Sequence, residues 1–211
     1  MCREQQFPSG QMNLVEVAVQ ERRTLHAPGD ADVSGLQVRS GIVGLFKLGP
    51  NGHSQITSLR YSGELVEPEE LRVGYGAKAL TKCVLACMSP EQFDGCFGSN
   101  EDSRSTLSRA RARQQRIAME WVFRSSLNSS ARLAHLWCEC QDRLGIPDGE
   151  AFQLPFSQAQ MAEITGQTPI NVNRVVGSWS RQGLIDERSG PIQVDWAMLR
   201  RIGSFNPLYL R

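Results

Sequence analysis

Asn171, Asn173 and Arg174 are the side chains best placed to do chemistry, and that chemistry is recognition rather than bond making. A carboxamide pairs bidentately with adenine and a guanidinium with guanine O6 and N7, each pairing discriminating by roughly 1–3 kcal/mol. Their spacing sets them on one side of a helix. Val172, Val175, Val176 and Trp179 recur at i, i+3, i+4 and i+7 and form the inner stripe. Ile170, Asn171, Asn173, Arg174, Gly177, Ser178 and Arg181 are left outside, with Gly177 allowing close approach to a backbone. Valines inside and Asn, Arg and Ser outside suit a helix lying in a DNA major groove. The plain alternative is a surface helix whose polar face is merely solvated.

The neighbouring segments decide between these. Ser157 can cap a helix over 158–165 that buries Met161 and Ile164. Gly166 supplies the left-handed residue of a tight turn between crossing helices. Thr168 caps the next helix, and Pro169 at its first position loses no hydrogen bond. After Gly183, Leu184-Ile185 and Ile192-Gln193-Val194 flank Asp186–Pro191 and predict a hairpin, the wing of a winged helix. Helix, glycine turn, capped helix and hairpin agree with one another, and a helix-turn-helix is the better reading.

Charge is distributed to match. Residues 1–100 carry net charge −2, residues 103–132 carry seven Arg against the single acid Glu120, and residues 157–211 carry +2. An acidic front and a basic back predict two parts with different partners. No nucleophile–base pair, metal-spaced His/Asp/Glu group or phosphate loop is present, so no enzyme is expected. No run approaches the ~20 apolar residues of a membrane span, and the N-terminus lacks the apolar stretch of a secretory signal. A cytoplasmic protein with reduced cysteines, no membrane contact, no cofactor and no metal is expected.

From Leu14 to Met88 short apolar runs alternate with turn signals, the pattern of an antiparallel barrel or sandwich. The runs are Leu14–Val19, Leu36–Val38, Ile42–Leu48, Ile56–Leu59 and Ala79–Met88. A long helix follows. Leu107, Ala110, Gln114, Ile117 and Trp121 alternate three- and four-residue steps and form one seam, with Arg109, Arg113 and Arg116 on the other side. About 25 helical residues span ~37 Å, longer than a small domain needs, so the seam is expected to pair with a second copy. The polar cluster from Ser125 to Ser130 reads as a break before a helix over 131–144, ended by Gly145-Ile146-Pro147.

The motifs resemble the Crp/Fnr superfamily of bacterial regulators. They stand here as Ser157, Met161-Ala162, Gly166, Thr168-Pro169-Ile170-Asn171-Val172-Asn173-Arg174 and Gly183-Leu184-Ile185. Pro28-Gly29-Asp30, Val38–Leu45 and Gly63-Glu64 resemble that family's β-roll. The resemblance implies an α+β chain. Its parts are a cyclic-nucleotide-binding-like β-roll over 1–100, a dimerisation helix over 101–126 and a winged helix-turn-helix over 127–211. It implies a homodimer on double-stranded DNA, with RNA polymerase a further partner. By carry-over Arg174 contacts a base, Ile170, Asn171 and Asn173 are further groove contacts, and Gln158 and Thr168 lie near phosphates. Pro169 and Ile170 replace charged residues of the family's better-known activator, so the operator should differ, with Ile170 meeting a thymine methyl.

The effector is open. Gly63-Glu64 matches the ribose-binding pair of nucleotide-binding members, but Val73–Ala77 stands where their Arg-Ser would fall, which disfavours a cyclic nucleotide. Cys83 and Cys87, evenly spaced on a strand, read as core thiols, and Cys138 and Cys140 are too close to chelate one metal from a helix. Cys2 alone occupies the cysteine-rich N-terminal position of iron–sulfur members. The alternatives to a gated regulator are a ligand-independent one controlled by abundance and a thiol redox sensor.

Overall fold

A computed structural model of the protein places residues 14–150, 152–186 and 191–211. Cys2 and the hairpin residues 187–190 lie outside the described residues. The chain divides into two compact units, one ending at Gln114 and the other running from Gln115 to Arg211. The division falls inside the long helix and not at either of its ends.

In the first unit eight strands form two antiparallel four-stranded sheets. One has the order β1 (Val15–Val19), β8 (Cys83–Met88), β3 (Gly35–Ser40), β6 (Leu65–Val66). The other runs β2 (Thr24–His26), β7 (Gly76–Ala79), β4 (Val43–Leu48), β5 (Ser54–Arg60). Alternation along the strands sends Val38, Val43, Leu45, Val66, Ala77, Ala79 and Leu85 into one apolar core. Three strands not expected from the sequence, β2, β6 and β7, are two to four residues long, too short to show a period. Two helices were also not expected. The five-residue α1 (Pro68–Arg72) starts at a Glu67/Glu70 capping box, and α2 (Pro90–Gly98) starts at Ser89, whose hydroxyl accepts from the Gln92 amide. The rings of Phe93 and Phe97 of α2 meet at a tilt of 48°, centroids 4.8 Å apart, and pack with Leu65, Met88 and Leu107.

The long helix, α3 (Glu101–Ser126), is unbroken, and Asn128 caps α4 (Ser129–Leu144). The seam is partly covered. Leu107 packs on the Phe93/Phe97 cluster, Ile117 is 1% exposed, and the Trp121 indole donates to Glu139 at 3.0 Å. Ala110 and Gln114 are half-buried. Off the seam, Met119 and Val122 are 67% and 72% exposed. Of the five seam residues only Ile117 is buried by the chain's own fold, and the other four keep part of their surface open.

In the second unit α4 is enclosed on every side, from Ala131 to Arg143. An all-round burial is usual for an apolar helix, yet this one carries charges. Glu139, fully buried, accepts from the Arg143 guanidinium at 3.0 Å, the Trp121 indole and the Tyr209 hydroxyl, and lies 3.6 Å from Arg124. Removing one member of such a group leaves the rest as an uncompensated buried charge. No helix among the described residues is long and apolar enough to cross a membrane.

His135 sits in the same helix, with its Nε2 3.1 Å from Glu120 and its ring between Phe205 and Tyr209. The Nδ1 atom is buried with no hydrogen-bond partner among the described residues. Burial, then the Arg124 guanidinium, hold the imidazole below its ordinary 6.5 against the pull of Glu139 and Glu120. The neutral ring belongs to the folded state. The unfolded chain therefore takes up a proton near pH 6.5 that the fold refuses, so stability is level above that value and declines beneath it. His135→Gln keeps a donor toward Glu120 and should flatten the acid side of a plot of Tm against pH; an unaltered slope would exclude His135 as its cause.

Candidate nucleic-acid interface

The helix-turn-helix is built from local caps. Ser157 and Gln160 exchange hydrogen bonds in a capping box that starts α5 (Gln158–Thr165), and Gly166, at φ +63°, ends it. Thr168 Oγ1 accepts from the Asn171 amide and starts α6 (Pro169–Arg181). Two arginines hold the far end of α5: Arg124 donates to the Ile164 carbonyl at 3.3 Å and Arg132 to the Thr165 carbonyl at 3.1 Å. Cations at free helix carbonyls are stabilising, and this use absorbs part of the basic 103–132 segment. Neither role was visible in the sequence, because both contacts span more than thirty residues.

The inner face of α6 is anchored on α4. Val172, Val175 and Trp179 are buried, Trp179 meets Trp137 edge to face at 5.4 Å, and its indole donates to Ser130 Oγ. Val176 is half-buried. The short strands β9 (Ile185–Asp186) and β10 (Gln193–Val194) pair antiparallel after Gly183, and Phe152 bridges to Ile192. Beyond them α7 (Trp196–Ile202) and a final 3₁₀ turn (Pro207–Leu210) close over α4.

The outer face is open. Thr168, Pro169, Ile170, Asn173 and Arg174 are exposed, with Ile170 at 83%, while Asn171 and Ser178 are half-buried. Gln158, exposed, stands on the first turn of the neighbouring α5. Ser178 accepts from Gln182, and Arg174 donates to Asn171 Oδ1 at 2.6 Å. A Cβ added at Gly177 would meet only the Arg181 guanidinium at 3.6 Å, so nothing inside the chain requires glycine there.

The β-roll unit holds a cavity of about 600 Å³ beside α1 and the first half of α3. Its ionic groups are already matched. Arg60 donates to Glu70 at 2.5 Å, Arg111 to Glu67 at 2.9 Å, and Arg113 to Glu64, whose second oxygen accepts from the Tyr61 amide. Arg72, the cation nearest the expected phosphate position by sequence, is surface-exposed and paired with Glu69.

Burial raises the thiol pKa of Cys83, Cys87 and Cys96, and pushes Cys138 up to about 12. Cys83, Cys138 and Cys140 are buried. A thiol held protonated is a poor nucleophile.

A surface helix with exposed base-pairing groups, a capped turn and a hairpin defines a DNA-binding regulator of the winged helix-turn-helix kind. Comparison with known proteins agrees. Residues 131–202 match the Crp-like helix-turn-helix domain family. The nitrogen fixation regulation protein FixK of Rhizobium meliloti is 27% identical over 164 residues, 77% of this chain and 74% of that protein. The fumarate and nitrate reduction regulatory protein of Shigella dysenteriae is 23% identical over 185 residues, 84% of this chain and 73% of the other. In structure the fold is that of FixK2 from Bradyrhizobium japonicum, with TM-score 0.77 at 18% identity, covering 90% of this chain and 98% of that one. A CRP-family transcriptional regulator from Thermus thermophilus gives TM-score 0.73 at 20% identity, covering 89% and 96%. Residues 131–202 thus carry a Crp-like helix-turn-helix domain, and over most of its length the chain resembles transcription regulators of the Crp/Fnr type.

Iodoacetamide at neutral pH is expected to leave Cys138 unmodified in the native protein and to modify it after denaturation. Rapid native modification, read by mass spectrometry, would show the thiol to be accessible after all.

Proposed function

We propose that the chain acts as a homodimer that sets two copies of α6 into successive major grooves of a palindromic operator, with half-site centres ~34 Å apart. The observation that carries this is the exposure of Ile170, Asn173 and Arg174 on a helix whose other face is locked to α4. Arg174 reads a base, Asn173 and Ile170 extend the contact, and Thr168 and Gln158 lie near phosphates. Lost counterions make the affinity fall with salt. We place the partner surface on α3, where the seam residues Leu107, Ala110, Gln114 and Trp121 stay half-exposed and Met119 and Val122 are open to solvent.

Control runs through the β-roll, whose cavity adjoins the first half of α3. A second reading, activity set by abundance alone, is favoured by Glu64: its carboxylate is committed to Arg113 and the Tyr61 amide. The raised thiol pKa values give no support to redox sensing at Cys83, Cys87, Cys96 or Cys138.

Arg174→Ala should cost roughly 1–3 kcal/mol of specific affinity in fluorescence anisotropy on a selected operator and much less on unrelated duplex. Equal losses on both would falsify its role as a base contact. Val122→Asp should yield monomers in sedimentation velocity with the circular dichroism spectrum intact; a persisting dimer moves the interface elsewhere.

A further inference from the structure

We propose that Gln167 and Asn171 form a positioning relay that aims Arg174 before DNA is met. The inference rests on the reading of Arg174 as a base contact and assigns roles to two residues behind it. Gln167 Nε2 donates to the Ser129 carbonyl at 3.1 Å. Gln167 Oε1 accepts from Asn171 Nδ2 at 2.6 Å, and Asn171 Oδ1 accepts from Arg174 Nη2 at 2.6 Å.

The direction of the chain is set at both ends. A carbonyl can only accept, so the Ser129 end requires the amide nitrogen of Gln167. A guanidinium can only donate, so the Arg174 end requires the carbonyl oxygen of Asn171. The two carboxamides then meet nitrogen to oxygen. No flip of either amide alone keeps all three bonds, so the network assigns its own orientation.

Exposure separates the roles. Asn173 and Arg174 are solvent-exposed, whereas Gln167 and Asn171 are half-buried. Asn171 engages both ends of its carboxamide with neighbours, and it acts through Arg174. Its backbone is fixed as well, since its own amide donates to the Thr168 cap. An arginine with a long, free side chain loses rotamer freedom when it pairs with a base. Holding the guanidinium beforehand reduces that loss, which is the usual gain from preorganisation. The relay starts on the first turn of α4, close to the Arg132 and Ser130 contacts that seat the helix-turn-helix. The aim of Arg174 is thereby referred to α4 and not to α6 alone.

The test uses the full chain and a library of duplexes randomised over the selected site. Arg174→Ala identifies the base pair that Arg174 reads, as the position whose preference disappears. Gln167→Met, of similar length, and Asn171→Ala should each weaken discrimination at that same position by roughly 5- to 20-fold, the lower part of a bidentate pairing's worth. Other positions, the salt slope and Tm should stay as in the unaltered protein, and neither change should add to Arg174→Ala. Undiminished discrimination in both variants, a uniform loss at every position, or effects that add to Arg174→Ala would each overturn the relay. If Arg174→Ala erases no preference, the base-contact reading itself fails, and the relay with it.

Discussion

A buried carboxylate organises the DNA-binding unit. Glu139 lies at the middle of a helix enclosed on all its faces, and it is tolerable there only because Arg124, Arg143, Trp121 and Tyr209 surround it. These partners come from the end of α3, from α4 itself and from the final 3₁₀ turn. A charge that cannot be left alone in a low-dielectric interior requires all of them at once. The segments before and after the helix-turn-helix are thereby fixed to one axis. The same Arg124 continues to the Ile164 carbonyl, so the recognition unit is seated on that axis too.

Division of labour among the arginines follows. The segment from 103 to 132 looks like a polycation in the sequence, yet its members have internal partners. Arg111 and Arg113 meet glutamates of the β-roll unit, Arg116 donates to the Arg211 carbonyl, and Arg124 and Arg132 close the end of α5. On the proposed reading, the positive charge that meets nucleic acid is left to α6 and its surroundings. Net charge by segment is therefore a poor guide to where a polyanion docks when acids from elsewhere in the chain fold back onto the same residues.

How far the sequence could be read depended on range. Ser157, Gly166, Thr168 and Pro169 act within four residues of themselves, so the helix-turn-helix was legible almost to its ends. Strands β1, β3, β4, β5 and β8 were visible as apolar runs, whereas β2, β6 and β7 owe their existence to pairing partners. The α2 helix carries a local signal, Ser89-Pro90 followed by Phe93 and Phe97, at the end of an apolar strand run. The α3 helix poses a different question. A helix with apolar residues on two faces offers two stripes, and only tertiary contact decides which is covered by the chain itself. Gln167 carried no local signal; its importance comes from Ser129, thirty-eight residues earlier.

Ile170 has a consequence for how such a protein can change. Its side chain, 83% exposed on the first turn of α6, takes no part in the core. Replacing it with almost any residue leaves the folded state nearly as stable as before, since surface substitutions away from caps and cores typically stay within about 0.5 kcal/mol. On the proposed reading of Ile170 as a groove contact, target choice can drift at this position without first passing through unstable intermediates, and a duplicated copy could acquire a new set of promoters by altering one codon while its architecture stays untouched.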